Sequence, residues 1–281
     1  MPTAETVVER FNAAKTLPHV AIRVAQMVND ERSTMRDFEQ VIQMDPVLVS
    51  RLLKLVNSPY FALPGRVDSI SKAVVFAGMK NLRNLVAVEA LRDLFGGGEE
   101  AGFSRQRLWL HCATVAILAD MIGKRIFGDA REDFFLAGIM HDIGLIAEDQ
   151  VAGNDLRQAC QLYMQGGKTL VECERECLGA DHAEVGFKLA KEWKMPVEVA
   201  SAIRFHHALD RSPEPGSLTG VVQLAEYIAG KMKFAVLPER VEPLPGHLVG
   251  HVKSMMDGYK VIVRDLPAEM EKAKSLYTTG G

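Results

Sequence analysis

Apolar residues recur at three- and four-residue intervals along almost the whole chain, and stretches of strict in-out alternation are short and rare. A period near that of the α-helix turns one stripe of each segment toward a common core, so the sequence predicts an all-α fold. Only 12 prolines interrupt the 281 residues, which leaves room for helices of ordinary length. No apolar run approaches the roughly 20 residues that carry a helix across a bilayer, so membrane insertion is not expected.

Local signals place the first elements. Asp45-Pro46 offers an N-cap followed by proline at the first helical position, and Val47, Leu48, Leu52, Leu55 and Val56 then form an apolar face. Asn57-Ser58-Pro59 ends that helix. Another helix is expected from Ile70 to Met79, and a further one, after Gly78 and Asn81, through Val86 and Leu91 to Phe95. Gly96-Gly97-Gly98-Glu99-Glu100 cannot pack a core, so the subdomain boundary is placed there. The expected organisation is an N-terminal helical bundle (1–98), a second helical unit (99–236) and a C-terminal helical extension (237–281). Ser104 caps a long helix through Trp109, Val115, Leu118 and Ile122, while Pro238, Pro243 and Pro245 precede renewed helical character from about Leu248.

Charge narrows the function classes. Charged residues make up 25% and hydrophobic residues 48%, with a net charge of -3, the profile of an ordinary globular protein. Lysines and arginines are balanced by acids throughout and are not interleaved with aromatics, so direct DNA binding is not expected. The four cysteines form no CxxC pair, and the start MPTAETVVERF lacks the blocks of a signal peptide, which suits a reducing cytoplasm. Cys173 and Cys177, four apart, read as small residues that help a helix pack. Gly166-Gly167-Lys168-Thr169 looks like the end of a phosphate loop, but Leu162 stands where its first glycine belongs, so it reads as a turn.

The histidines carry the chemistry. His111 shares a helix face with Leu108, Val115, Leu118 and Ile122, and His141 follows Phe134, Ala137 and Gly138 on one stripe with Asp142 beside it. Gly138 permits a close helix approach there. Asp181 and Glu184 form a capping box that sets His182 at the first turn of a helix continuing through Val185, Leu189 and Trp193. His206 lies on the face of Val199 and Ile203, and His207 is turned about 100° from it. Glu226 stands on the stripe of Val222 and Ala229. One inward histidine needs only one core hydrogen bond. Five would need five separate compensations, so a shared pocket is the simpler expectation. Imidazoles combined with carboxylates suit divalent iron, manganese, zinc or nickel. His19, His247 and His251 read as surface or packing residues.

The order His111, His141-Asp142, His182, His206-His207 resembles the HD superfamily, and the surrounding phrases resemble its HDOD subgroup. The phrases are LPHVAIRVAQMVND, VIQMDPVLVSRLLKLVNSPYF, SISKAVVFAGMKNLRNLV, FLAGIMHDIGLI, GADHAEVGFKLAKEW and FHH, and they cover most of the chain. The resemblance implies a two-part helical protein of bacterial signal transduction that works through protein partners. It implies that His111, His141, Asp142, His182, His206 and His207 occupy metal-ligand positions. Glu226, in LAEYIAG, stands where metal-binding relatives have aspartate, one methylene shorter. Three departures separate the chain from the related HD-GYP phosphodiesterases: HDIGL ending in Leu145 where they have lysine, ALDRSPEPG where they have GYP, and Arg107 where some relatives carry an acid. The second expectation is a metal-dependent phosphohydrolase acting on a nucleotide or cyclic dinucleotide. In it Asp142 bridges metals or orients the nucleophile, and Arg107 or Arg204 neutralises phosphate. The MDPVLVSRLLKLVNSPYF region reads either as a partner-docking surface or as ordinary core packing.

Overall fold

The computed structural model describes residues 3–14, 33–59, 65–92, 94–95, 102–131, 133–208, 213–237 and 243–273, together with Met27, Arg211 and Val241. Among these, the regular structure is helical throughout, and no helix is long and apolar enough to cross a membrane. The glycine run at 96–100, the histidine at 19 and much of the first family-like phrase lie outside the described residues.

Among the described residues, four helices make the N-terminal bundle: α2 (Met35–Gln43), α3 (Pro46–Val56), α4 (Ile70–Ala77) and α5 (Met79–Arg92), packed against one another. Asp45 caps α3 as expected, accepting from the Val47 and Leu48 amides at 3.0 Å each. Its helix buries Leu48, Leu52, Leu55 and Val56. Val47, placed on that face by the sequence pattern, is instead 60% exposed. As the second helical residue it precedes the first full turn, and the stripe begins one position later. Asn57 ends the helix and pins the following loop, its amide bridging the Val67 N–H and C=O at 2.8 and 2.7 Å. The break between α4 and α5 falls at Gly78, whose φ of 81° only glycine adopts readily, and Asn81 lies inside α5 rather than before it.

The first helix, α1 (Ala4–Ala14), does not join this bundle. It packs on two helices of the second unit, α8 (Ile143–Gln165) and α10 (His182–Glu192), with Asn12 bonded to Glu192 at 2.6 Å and Lys188 paired with Glu5. A single cut near residue 98 therefore does not separate the two units: the chain starts on the second, then builds the first.

The second unit is arranged around α6 (Arg105–Ile126), which is buried along most of its length. Against it lie α7 (Asp133–Met140) and α12 (Leu218–Lys231), and from the C-terminal extension α14 (Met256–Lys272), where Arg125 pairs with Asp265 and Glu269 at 2.9 and 3.0 Å. The remaining elements are α9 (Leu170–Leu178), α11 (Val197–Phe205) and α13 (Gly246–Ser254). Helix α7 also touches α5, which joins the two units. The 166–169 segment is a turn with two left-handed glycines that leads into α9, capped by Thr169 and Glu172. Cys173 is buried and Cys177 half-buried on α9.

Candidate metal centre

Close helix approaches bring the histidines together. Gly138 on α7 faces the α6 backbone, where an added Cβ would stand 2.5 Å from Ala116 Cα, so the glycine allows α7 to lie against α6 and sets His141 beside His111. Gly144, in the first turn of α8, faces the His182 peptide in the same way, and an added Cβ would stand 2.7 Å from the His182 carbonyl carbon. This contact presses the start of α8 onto the start of α10. Asp142 and His182 then meet.

Asp142 occupies the N-cap position of α8, where aspartate normally accepts from its own helix, but its side chain makes no capping bond. The carboxylate turns to the histidines instead, and its two oxygens serve different partners. Oδ2 lies 3.4 Å from His111 Nε2 and 3.2 Å from His141 Nε2. Oδ1 lies 3.4 Å from both His182 Nε2 and His206 Nε2. Glu226 closes the first group: its Oε2 stands 2.9 Å from His111 Nε2 and 3.1 Å from His141 Nε2, so the longer arm reaches the site. His207 joins the second group: the ligand atoms of Asp142, His182, His206 and His207 lie within 4.8 Å of one another, as do those of His111, His141 and Glu226.

The outward ring nitrogens decide what the inward ones can do. His111 Nδ1 donates to Phe234 O at 2.8 Å, His141 Nδ1 to Gly138 O at 2.7 Å and His206 Nδ1 to Ile203 O at 2.7 Å. Carbonyls only accept, so each Nδ1 carries its proton and each neutral ring presents a bare lone pair at Nε2. His182 is held likewise by Glu174, whose oxygens sit 2.9 and 2.7 Å from Nδ1 and whose Oε2 also accepts the His182 amide at 3.0 Å. Yet His111 and His141 bring their Nε2 atoms within 3.2 Å, and His182 and His206 within 3.3 Å. Two neutral rings at that distance would set lone pair against lone pair, so a proton or a metal cation belongs between them. Asp142 Oδ1 and Glu226 Oε2 are moreover buried without a hydrogen-bond partner.

A cation on each side of Asp142 would meet all of these demands at once. Two atoms each about 2.1 Å from one ion stand about 3.0 Å apart at a right angle and about 3.4 Å apart at the tetrahedral angle. The separations from 3.1 to 3.4 Å fall in that interval, and the 2.9 Å between Glu226 and His111 lies just below it. The donor set of imidazoles with carboxylates is that of a divalent transition metal, and the His182–Glu174 pair has the form of a carboxylate–histidine–metal triad.

Electrostatics agree. Burial works against the ionised form of Asp142, but His141, His206 and His182 hold its carboxyl well below the usual range. Burial likewise opposes ionisation of Glu226, and His111 and His141 overcome it. At His141 and His182 burial disfavours protonation, but Asp142 and Glu226 raise the former well above 6.5, and Glu174 with Asp142 carries the latter to about 9. Burial and the neighbouring His207 push His206 down to about 3. The cluster thus attracts positive charge to its centre. Cys112 also lies near His141 and Asp142, but burial and the adjacent carboxylates raise its thiol well above 9.0, so it stays protonated.

Neither of the two arginines expected at a phosphate lines the cavity beside the ligands. Arg107 Nε donates to Ala235 O at 3.1 Å, while Arg204 stands 3.8 Å from Asp181 and near the Phe205 ring. Asp181 caps α10 through the Glu184 amide, but the returning half of the expected box is absent, since the Glu184 carboxylate turns to Lys188 at 3.9 Å. His251 bonds the Tyr259 hydroxyl at 3.0 Å and stacks on Phe127, a packing role.

Glu174 escaped the sequence reading, although the signal was there: it lies on the inward stripe of α9 between Leu170 and Leu178. Glu148 is a second such residue, 0% exposed on α8, with both oxygens unpartnered. Burial, then the charges of Glu174, Asp181 and Asp142, raise its carboxyl well above 4.5. A carboxyl raised in the folded state binds its proton more tightly there than when unfolded. Its penalty is therefore absent below about pH 4.5 and grows as pH rises toward the folded value. Glu148→Gln should match the parent in acid and exceed its stability by at least about 1 kcal/mol at pH 8. Urea melts at the two pH values check this, and equal stability at pH 8 would refute it.

Comparison with known proteins places the chain. Among curated proteins, an uncharacterized protein of Treponema pallidum (strain Nichols) is 28% identical over 213 residues, a match that takes in 75% of this chain but only 41% of that protein. Similar solved structures include an HDOD domain protein of unknown function from Geobacter sulfurreducens, 24% identical, covering 93% of this chain and 97% of that one, with a TM-score of 0.67. A protein from Shewanella amazonensis SB2B, named as a candidate phosphohydrolase, is 26% identical over 96% of this chain and 97% of its own, with a TM-score of 0.71. A protein from Marinobacter aquaeolei VT8, named for signal transduction, shares the fold at 19% identity and a TM-score of 0.74, over 98% of this chain and 65% of that one. Residues 14–209 match the HDOD domain, and the chain belongs to that family.

Proposed function

We propose that this protein is a cytoplasmic signal-transduction module that acts through protein partners, and that its two-sided pocket binds divalent iron, manganese, zinc or nickel as the seat of ligand sensing. The observation that carries the reading is the pairing of a complete ligand set around Asp142 with a cavity whose lining includes Leu145 and neither Arg107 nor Arg204. The ligands support binding, while the cations that would neutralise a phosphoryl group in flight are not among the residues that line the cavity. His111, His141 and Glu226 would hold one ion, and His182, His206 and His207 the other, with Asp142 between them.

A metal-dependent phosphohydrolase acting on a nucleotide or cyclic dinucleotide is the second reading. The two-sided carboxylate favours it, as does likeness to a relative named as a candidate phosphohydrolase. Divalent ions held here would supply Lewis acidity toward a phosphoryl oxygen. The chain's own part would be to fix Asp142 by its helix-start position and to present the half-buried His207 toward the cavity.

Metal-loaded protein assayed against phosphomonoesters, nucleotides and cyclic dinucleotides separates the readings. Stoichiometric metal without turnover supports the module. Turnover lost in folded His141→Ala and Asp142→Ala variants overturns it in favour of the hydrolase. A further expected outcome concerns Glu174: Glu174→Gln keeps a contact to His182 but removes its charge, so metal affinity should fall about 10- to 100-fold in a competition titration. An unchanged affinity would remove Glu174 from the site.

A further inference from the structure

Two side chains one helical turn apart on α6 hold consecutive peptides of a second segment. His111 Nδ1 donates to Phe234 O at 2.8 Å, and Arg107 Nε donates to Ala235 O at 3.1 Å. Residues four apart share a helix face, so both reach the chain that crosses it. That chain is the end of α12, beyond the family match at 14–209. The contact is therefore a property of this protein's own C-terminal part.

The end of α12 has a defined geometry. The Lys233 amide bonds Gly230 O at 3.0 Å and the Phe234 amide bonds Ala229 O at 2.9 Å, a paired ending that needs a left-handed residue. Lys233 fills that place at φ 67°, where glycine would carry no strain. Helix α10 ends in the same way: the Lys194 and Met195 amides bond Lys191 O and Ala190 O at 3.0 and 2.9 Å, with Lys194 at φ 54°. It lies at the far end of its helix from His182, whereas the α12 ending is bonded to His111 itself. Just past it, Ala235, Val236 and Leu237 line a cavity of about 70 Å³ beside Asp142, His207 and Glu226. A space of that size admits a few waters. The placing of this short segment thus sets how closed the ligand groups are.

We infer that Arg107 is a positioning residue which, with His111, clamps the Phe234 and Ala235 carbonyls, so that metal held at His111 Nε2 tightens the end of α12. This rests on the metal-pocket reading and names how occupancy of that same site reaches the C-terminal part of the chain. A cation at Nε2 draws electron density from the ring and makes Nδ1–H a stronger donor, so the bond to Phe234 O strengthens on loading. Coupling of this kind is reciprocal: loosening the Phe234 and Ala235 peptides weakens metal at His111. Arg107 acts on the second of those carbonyls rather than on a ligand atom. Its positive charge works in the opposite direction, since it disfavours a cation nearby. Any support it gives to metal binding therefore comes through its hydrogen bond.

Two variants of the full chain separate that bond from the charge. Arg107→Gln places an amide N–H at the same bond count from the backbone as Nε and removes the charge, while Arg107→Met removes both at similar length. The divalent ion that loads the parent, with zinc tried first, is titrated against a competing chelator. One bound ion should be about threefold or more weaker in Arg107→Met than in Arg107→Gln, the size of one neutral hydrogen bond. Hydrogen exchange on the same samples supplies a readout that simple loss of packing would not move. Metal should slow the Lys233 and Phe234 amides of the parent at least about threefold more than the Lys194 and Met195 amides of the matching ending. Arg107→Gln should keep that difference and Arg107→Met should lose it. Equal metal affinity in the two variants, or equal slowing of the two helix endings in the parent, overturns the clamp and leaves the metal pocket standing. A chain that takes up no divalent metal overturns both.

Discussion

Asp142→Ala should empty both halves of the pocket at once, whereas His111→Ala and His206→Ala should each empty one. The asymmetry follows from the two carboxylate oxygens, Oδ2 facing His111 and His141 and Oδ1 facing His182 and His206. Removing either histidine leaves the opposite half with its own imidazoles and its share of Asp142. Removing Asp142 strips the anion that lies within 3.4 Å of four ring nitrogens. Metal analysis of the three folded variants should give a content near zero for Asp142→Ala and about half the parent value for each histidine variant. Since bound metal stabilises by mass action, loss at about hundredfold saturation removes roughly 2.7 kcal/mol, a fall in Tm of about 5 °C or more. Equal metal loss in all three variants would show that Asp142 does not divide the site.

Gly144→Ala should be the most damaging single methyl in the second unit. The added carbon meets backbone, the carbonyl group of His182, rather than the flexible end of a side chain. Relief requires the start of α8 to move off the start of α10, and that movement separates Asp142 from His182. Overpacking of a rigid contact costs about 3 kcal/mol or more. Metal affinity should fall with it, because the ligand spacing is set by the same contact. Gly65→Ala, where an added Cβ meets nothing within 4 Å, is the control and should leave both properties unchanged. A stable, fully metal-loaded Gly144→Ala protein would contradict this account of how the site is assembled.

Legibility from sequence followed the strength of local signals. Asp45-Pro46 and Ser104 announced their helices because capping is decided within a few residues, and the inward histidines could be read because helical period fixes which face a residue shares. Gly138 was readable for the same reason. The packing of α1 on the second unit was not, since nothing in an eleven-residue amphipathic helix states which apolar surface it will cover. The division of labour between the two oxygens of Asp142 is a fact of tertiary approach, set by glycines 138 and 144 on separate helices. Arg107 and Arg204 illustrate the converse: both are expected near phosphate in the hydrolase reading, but a carbonyl just beyond α12 and a helix-capping aspartate engage them. Glu174 and Glu148 lie on inward stripes as the histidines do, and a search for every ionisable residue on such a stripe would have found them.

In the proposed reading the histidine–carboxylate cluster holds divalent metal on both sides of Asp142. Elemental analysis of protein purified without chelator, combined with anomalous scattering from its crystals, tests this most directly. Two ions per chain are expected, one among His111, His141 and Glu226 and one among His182, His206 and His207, sharing Asp142. A single ion would contradict the two-sided reading of that carboxylate. A metal-free chain whose Tm is unmoved by added metal, and whose His141→Ala and Asp142→Ala variants are as stable as the parent, would contradict the pocket itself.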